Sequence, residues 1–135
     1  MRRSLPFVIA LCLSLAGCVP APQTRDDTDV IADAFARGRS DVWVESHGTV
    51  TRLLADDREG SRHQRFIVEL SNGQTLLFAH NIDLAPRVPV ERGDTVAFRG
   101  EYEWNDRGGV IHWTHHDPSN RKPGGWIRHR GTSYR

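Results

Sequence analysis

The sequence predicts a mainly β fold: a small barrel of five antiparallel strands preceded by one short helix. Two observations carry this prediction. After Gly38, apolar residues recur with a period of two or in short runs separated by turn residues, which is typical of strands. Before Gly38, one short stretch has helical periodicity instead. A length of 135 residues suits one domain, and closing short strands into a barrel leaves no exposed sheet edge.

The N-terminus is typical of an export signal. Residues 1–17 place Arg2 and Arg3 ahead of an apolar run that is shorter than the roughly 20 residues needed to cross a bilayer. The run ends at Cys18 in the sequence LAGC, which resembles the lipobox of bacterial lipoproteins. The resemblance implies cleavage before Cys18, a diacylglycerol on its sulfur and an acylated amine. Several acyl chains hold a protein stably on a membrane.

We therefore expect an exported protein that is lipid-anchored in the cell envelope, with the membrane as its first partner. Val19 follows the cysteine where an aspartate would be the retention signal of enteric bacteria. By this analogy the outer membrane is the expected location if the cell has two membranes. Residues 18–27 are polar, carry two prolines and are predicted to be a lipidated tether.

Composition excludes several classes of protein. With 38% hydrophobic and 26% charged residues and a mean hydropathy of −0.53, the chain is neither a multispan membrane protein nor a disordered tail. Two of its 18 basic residues leave with the signal, so 16 remain against 17 acidic ones. This balance gives no electrostatic argument for nucleic-acid binding. Both cysteines, Cys12 and Cys18, precede the predicted domain, so we expect no disulfide partner there.

The predicted domain spans residues 28–135. Its helix runs from Thr28, a plausible N-cap, to Gly38 and carries an apolar stripe that includes Ile31 and Phe35. The barrel occupies residues 42–117, and residues 118–135 form a C-terminal extension. The five predicted strands are 43–54, 64–70, 74–82, 94–104 and 109–116.

This arrangement resembles the oligonucleotide/oligosaccharide-binding fold, although a sandwich of the same strands remains an alternative. In that fold the ligand face lies on strands two and three, between the loops after strands one and four. Those loops are residues 55–62 and 106–109 here. If 106–109 forms a four-residue hairpin loop, Tyr102 pairs with Trp113 and Trp104 with Ile111 on the core side. Glu103 then faces His112 on the other side.

Histidines are concentrated late in the chain and suggest a transition-metal site, for which zinc is one candidate. On one strand His112 and His116 would be about 13 Å apart, so other strands must contribute. The candidate polar or metal cluster is His63, His80, Asp83, Glu103, His112 and His116. Alternatively, these histidines pair with carboxylates or cap strand ends.

Four arginines lie near aromatic residues in the sequence and are candidates for ligand binding: Arg62, Arg65, Arg87 and Arg99. Such side chains bind phosphate or stack on bases and sugars. The alternative is that they form the solvated rim of a core.

Longer motifs resemble a known family. The stretches HQRFI (63–67), GQTLL (73–77), AHNIDLAPR (79–87), GEYEWN (100–105), GGVIHWTHHDP (108–118) and GWI-x-H (125–129) are similar to those of the bacterial domain-of-unknown-function family 3465, whose members are short exported proteins. The family carries no established activity, so the resemblance implies no role for any residue.

The sequence predicts an envelope lipoprotein with a binding or accessory module. Its partner is a peptide, a glycan, a nucleic acid or an envelope protein, and no residue pattern selects among these. The alternative is a metal- or histidine-dependent hydrolase, for example of phosphodiesters, which uses His63, His80, Asp83, Arg87 and His112. A purely structural role is a third hypothesis. No Gly-x-Ser-x-Gly, Walker or His-Glu-x-x-His motif occurs.

Overall fold

The computed structural model describes residue 17 and residues 23–135 of the chain. Most of the predicted export signal and Cys18 lie outside these residues. The elements are α1 Thr28–Ala36, β1 Val42–Asp57, β2 His63–Glu69, β3 Thr75–Asn81, β4 Thr95–Glu103, β5 Val110–His112, β6 Trp126–His129 and β7 Thr132–Tyr134. The prediction of a mainly β fold with one short helix is confirmed. No helix in the described part of the chain is long and apolar enough to span a membrane.

The seven strands form one sheet in the order β1-β2-β3-β5-β4-β6-β7, and β1 also pairs with β4. Strands β1, β2, β3, β5 and β4 therefore form a closed ring. The prediction that all five are antiparallel is wrong at one junction, because β3 and β5 run parallel, with Leu77 opposite Val110 and Phe78 opposite Ile111. Alternation shows which residues face the core, but it does not show which strands are neighbours.

Regular alternation on β2 and β3 places the core inside the ring. Phe66 and Phe78 stack with ring centroids 5.1 Å apart, and Phe78 meets Phe98 of β4 edge to face at 4.8 Å. The odd-numbered residues of β2 and β3 point the other way and are partly exposed or, for Glu69, exposed. The outer surface of these two strands is therefore open to a ligand.

The length of β1 lets it pair with two strands. Residues 42–49 pair with β4, and residues 49–57 pair with β2. Gly48 lies where the pairing passes from one strand to the other. A Cβ at Gly48 would lie 2.5 Å from the carbonyl oxygen of Glu69, so only glycine permits this approach of the two backbones.

The junction of β4 and β5 differs from its prediction. Strand β5 ends at His112 because Trp113 adopts a left-handed backbone with φ of 54°. Tyr102 pairs with Ile111 rather than with Trp113, so the register is shifted by two residues. The loop is longer than four residues because the Asn105 side chain accepts hydrogen bonds from the backbone N–H groups of residues 107 and 109. A shift of two residues keeps Tyr102 and Ile111 on the core side and Glu103 and His112 on the other side, as predicted.

Trp104 does not enter the core, contrary to the inward position predicted for it. It is 44% exposed, and its Nε1 donates to the carbonyl of Phe35 at 3.1 Å. Trp104 follows the last residue of β4, so strand alternation no longer decides its direction. It ties the end of β4 to the end of α1.

Residues 118–135 contain the two strands that the sequence analysis did not predict. Strand β6 pairs with residues 96–99 of β4, and Ile127 is fully buried.

At the N-terminal end of the domain, residues before Thr28 already contact the sheet. Asp27, rather than Thr28, is the N-cap of α1, and its Oδ2 accepts a hydrogen bond from the backbone of Glu45 at 2.9 Å. Asp26 Oδ1 accepts from the hydroxyl of Ser46 at 2.8 Å.

Candidate functional site

A groove of about 570 Å³ lies on the outer side of β1, β2 and β3. Its lining residues are Thr51, Arg52, Leu54, Arg65, Ile67, Thr75, Leu77, Asn105, Arg107 and Gly109. The groove therefore lies on strands two and three and against the loop that follows strand four. The expected ligand face included these two strands and the loop 106–109. It also included the loop 55–62, whose residues do not line the groove in the described part of the chain.

Three arginines and three aliphatic side chains decide the chemistry of the groove. Arg52, Arg65 and Arg107 line it, together with Leu54, Ile67 and Leu77 from three adjacent strands. No carboxylate and no aromatic side chain is among the residues that line it in the described part of the chain. The groove is therefore both positively charged and apolar.

The arginine side chains remain available to a ligand. The Nε of Arg65 donates to the carbonyl of Ala55 at 2.9 Å, which orients the guanidinium and uses one of its five N–H donors. Within residues 23–135, none of Arg52, Arg65 and Arg107 forms an ion pair with a carboxylate.

A second cavity, which we call the histidine cavity, has a volume of about 340 Å³. It is lined by Ser61, His63, Ala79, Asn81, Leu84, His112, Trp113 and His115. The Nε2 of His112 lies 3.3 Å from Glu103 Oε1, and the Nδ1 of His115 lies 2.8 Å from the carbonyl oxygen of His116. Because a carbonyl oxygen only accepts, Nδ1 of His115 carries a proton.

His80 is fully buried and does not line the histidine cavity. Its Nε2 donates to the carbonyl of Pro86 at 2.9 Å, and its Nδ1 lies 2.8 Å from the hydroxyl of Thr114. Burial lowers the pKa of His80, because the charged imidazolium would lose its hydration. His80 is thus a neutral internal group that joins β3 to two loops.

The six residues of the predicted polar cluster are only partly brought together. His63 and His112 line the histidine cavity, and Glu103 contacts His112. The remaining three are elsewhere: His80 is buried, Asp83 pairs with Arg62 at 2.8 Å, and His116 lines a separate cavity beside Trp126.

His115 lines the histidine cavity but was not among the predicted residues. The sequence analysis extended strand five to His116, which would turn His115 away from His112. The left-handed backbone at Trp113 ends that alternation. No pattern in the sequence indicates this change of direction.

Glu101, Glu103 and His112 form the closest group of metal-ligating atoms in the described part of the chain, all within 4.8 Å of one another. The ammonium of Lys122 lies 2.7 Å from Glu101 Oε2 and 4.5 Å from the centre of the Trp113 ring. The hydrogen bond to Glu101 raises the pKa of Lys122. One of the two carboxylates of this group, Glu101, is therefore already paired with a side-chain cation.

The four predicted arginines are divided among different surroundings. Arg65 lines the groove. Arg62 pairs with Asp83, and Arg87 binds both carboxylate oxygens of Asp56, with Nη1 3.1 Å from Oδ1. These arginines hold the pKa of each partner carboxyl below its ordinary value. Arg99 lines the cavity that contains His116.

Arg52 and Arg107 were missed by the sequence analysis. Arg107 lies within the loop 106–109, which the predicted strand order places beside the ligand face. Its position in the sequence therefore could have indicated that it lines the site. Arg52 lies where the register of β1 against β2 is irregular, between Val50 and Arg52. Simple alternation does not predict the direction of a residue at such a bulge.

Comparison with known proteins places nearly the whole chain in one family. The family described as "Protein of unknown function (DUF3465)" matches residues 9–135. No curated protein matches the chain. All of the motifs from residue 63 to residue 129 fall within the matched range.

Proposed function

The chain belongs to the DUF3465 family of proteins of unknown function, and from its own geometry we propose that it is an envelope binding module that takes an anionic ligand. The ligand site is the groove on β1, β2 and β3. The observation that carries this proposal is made within residues 23–135: three arginines without carboxylate partners lie in a groove that no acidic side chain lines. Guanidinium groups form strong, directional hydrogen bonds with carboxylates and phosphates.

The strand arrangement supports a barrel of the oligonucleotide/oligosaccharide-binding type. Five strands close a ring in the order β1-β2-β3-β5-β4, and β1 pairs with both β2 and β4. Barrels of this type use strands two and three, with the loops after strands one and four, to bind oligonucleotides and oligosaccharides. The groove uses the same strands and the loop after β4.

The location is proposed from the N-terminal sequence. Arg2, Arg3, the apolar run and the LAGC box support lipidation of Cys18 and anchoring in the envelope, at the outer membrane if there are two membranes. Asp26 already contacts β1. The eight residues 18–25 would hold the domain within about 30 Å of the lipid, since an extended chain spans at most about 3.6 Å per residue.

The test is to measure binding of the full chain to labelled polyanions by fluorescence anisotropy. Polyglutamate, oligothymidylate and heparin serve as probes of three anion chemistries. We expect binding of at least one probe to weaken about tenfold or more in each of Arg52→Ala, Arg65→Ala and Arg107→Ala, since a hydrogen bond to a charged group contributes about 1.5–3 kcal/mol.

Arg92→Ala is the matched control, because Arg92 is exposed and lines neither the groove nor the histidine cavity. The affinity of Arg92→Ala for each probe should equal that of the wild type. If no probe binds, or if the three groove variants bind as well as Arg92→Ala, the proposal is wrong.

A second candidate is a metal- or histidine-dependent hydrolase. The observation that favours it is the presence of His63, His112 and His115 around one cavity. Lys122 argues against a metal ion at Glu101, Glu103 and His112, because its ammonium already binds Glu101. Elemental mass spectrometry of protein purified without a histidine tag separates the two candidates. A near-stoichiometric transition metal that is lost in His112→Ala would favour the hydrolase.

A further inference from the structure

The groove and the histidine cavity are two parts of one surface. Strands β2 and β3 present their odd-numbered residues on the same side. Of these, Arg65, Ile67, Thr75 and Leu77 line the groove, whereas His63, Ala79 and Asn81 line the histidine cavity. Arg65 and Ala79 are opposite each other in the register of the two strands, so the cavities meet at this pair. We call the combined surface the β2–β3 track.

The length of the track indicates a linear ligand. From Thr75 to Asn81 the chain advances six residues, which corresponds to about 20 Å at about 3.3 Å per residue. A small molecule would occupy one cavity only. An extended chain can contact both cavities, because the outward-facing side chains of the two strands form one continuous row from the groove to the histidine cavity.

The chemistry of the track selects among linear anions. The half formed by the groove combines arginines with the aliphatic side chains of Leu54, Ile67 and Leu77, and none of the described residues that line it is aromatic. Binding of single-stranded nucleic acid relies on aromatic side chains on which bases stack. A chain of phosphates would satisfy the arginines but would leave the aliphatic side chains without a partner. A peptide with both acidic and aliphatic side chains satisfies both.

We propose that the β2–β3 track binds an extended acidic peptide segment of a partner protein. This inference rests on the proposed function and names the ligand of the same site. The aspartate or glutamate side chains of the segment pair with Arg52, Arg65 and Arg107. Its aliphatic side chains pack on Leu54, Ile67 and Leu77, and its remaining residues pass the Arg65–Ala79 pair and enter the histidine cavity.

The histidine cavity provides the contacts for this second part of the peptide. Asn81 and Ser61 offer side-chain hydrogen bonds, Trp113 offers an apolar surface, and the imidazoles of His63 and His115 offer further polar contacts. At about 3.3 Å per residue, a segment that reaches from Arg107 to His63 needs about six to eight residues. Shorter peptides fit the groove alone.

The test is a selection of random twelve-residue peptides, displayed on phage, against the full chain. We expect the enriched sequences to contain Asp or Glu together with Leu, Ile or Val, and their binding to weaken about tenfold or more in Arg52→Ala and Arg107→Ala. Synthetic versions of the best sequence, shortened from either end, are then titrated. We expect affinity to rise with length up to about eight residues.

Variants of the histidine cavity test whether the site extends beyond the groove. His63→Ala and His115→Ala should weaken the eight-residue peptide severalfold and leave a four-residue acidic peptide unaffected. His116→Ala is the matched control, since His116 is exposed and lines a different cavity. If the histidine variants bind every length of peptide as the wild type does, the track does not extend past Arg65 and the inference is overturned.

Failure of this inference can be distinguished from failure of the proposed function. Enrichment of basic or neutral peptides, or of peptides whose binding is unchanged in the arginine variants, overturns the peptide ligand. If oligothymidylate binds in their place and loses affinity in the same arginine variants, the groove remains an anion site with a nucleic-acid ligand. If neither peptides nor polyanions respond to the arginine variants, the proposed function fails as well.

Discussion

The hydroxyl oxygen of Thr114 and Nδ1 of His80 lie 2.8 Å apart, and both residues are fully buried. The other ring nitrogen, Nε2, donates to the carbonyl of Pro86. Nδ1 of the neutral imidazole therefore accepts the Thr114 hydroxyl hydrogen. Through these two hydrogen bonds one side chain of β3 holds both the segment after β5 and the loop before β4, which border the histidine cavity.

Removing the Thr114 hydroxyl should destabilise the protein. Thr114→Val keeps the shape of the side chain but leaves Nδ1 of His80 buried without a donor, which costs about 1–3 kcal/mol. Thr114→Ser keeps the hydroxyl and should lose less stability than Thr114→Val. Urea denaturation followed by tryptophan fluorescence measures both free energies of unfolding. Equal stability of Thr114→Val and the wild type would show that the hydrogen bond contributes nothing.

The stability of the protein should fall in mild acid because of His80. Its pKa is lowered in the folded state, so the unfolded chain takes up the proton first, at a pH of about 6.5. The contribution of His80 is fully present above that pH and is lost as the pH falls below it. His80→Gln cannot titrate, and its free energy of unfolding should vary less between pH 7 and pH 5. His116→Gln, at an exposed histidine, should follow the wild type; an identical pH dependence in His80→Gln would contradict this account.

Gly109 should not tolerate a side chain. Its φ is 112°, and a Cβ would lie 2.1 Å from the ring of Tyr102. Gly109→Ala therefore causes both backbone strain and a clash with a buried ring. We expect it to lower the free energy of unfolding by about 3 kcal/mol. Gly60 also has a positive φ but open space around it, so Gly60→Ala should cost only about 1 kcal/mol. Differential scanning calorimetry compares the two, and similar losses would rule out the clash with Tyr102.

Asp117 should make the turn before β6 sensitive to acid. Its carboxylate accepts hydrogen bonds from the backbone N–H groups of Ser119, Arg121 and Lys122 and from the Ser119 hydroxyl. These bonds hold the pKa of Asp117 well below its ordinary value. The stabilisation is present above about pH 4, which is near the ordinary pKa of an aspartate carboxyl. It is lost as the pH falls through the lower pKa that Asp117 has in the folded protein.

Asp117→Asn should therefore lower Tm by several degrees at pH 7, and the difference from the wild type should shrink as the pH falls below 4. Thermal unfolding followed by circular dichroism at several pH values measures this. Asp106→Asn, at an exposed carboxylate, should leave Tm unchanged. A Tm difference for Asp117→Asn that stays constant with pH would show that the charge of Asp117 is not the cause.

Cys18→Ser should release the protein from the membrane. The lipid is proposed to be attached at the Cys18 sulfur, which serine cannot replace. Labelling of cells with radioactive palmitate should mark the wild type and not the variant, and fractionation should move the variant almost completely to the fraction without membranes. Cys12→Ser is the control and should keep both the label and the location. Membrane retention of unlabelled Cys18→Ser would point to a different attachment.

The strands with clear alternation could be predicted almost to the residue. β2 and β3 were expected at 64–70 and 74–82 and are found at His63–Glu69 and Thr75–Asn81. In these strands each buried residue is apolar or hydrogen-bonded, whereas the polar residues without a buried partner alternate with them on the outer side, so burial determines the pattern. For the same reason Arg65, which alternates with buried Gln64 and Phe66, could be placed on the ligand face.

Features that depend on contacts between distant parts of the chain could not be predicted. β6 has four residues and β7 has three, which is too short for a periodic pattern. β6 forms because β4 offers it an edge, and β7 forms on the edge of β6. The parallel pairing of β3 and β5 likewise follows from closure of the ring. His115 enters the histidine cavity only because the backbone turns at Trp113. The site thus combines residues predicted from alternation with residues placed by loops.

Strand β4 has β1 on one edge and both β5 and β6 on the other. The part of β4 from Val96 to Arg99 therefore depends on β6, the sixth strand along the chain, for its second backbone partner. A chain truncated before Trp126 would expose the backbone of β4 next to fully buried Phe98. Exposed hydrophobic strand edges recruit other chains and cause aggregation. By pairing with residues 96–99 of β4, β6 therefore protects this part of the sheet against pairing with other chains.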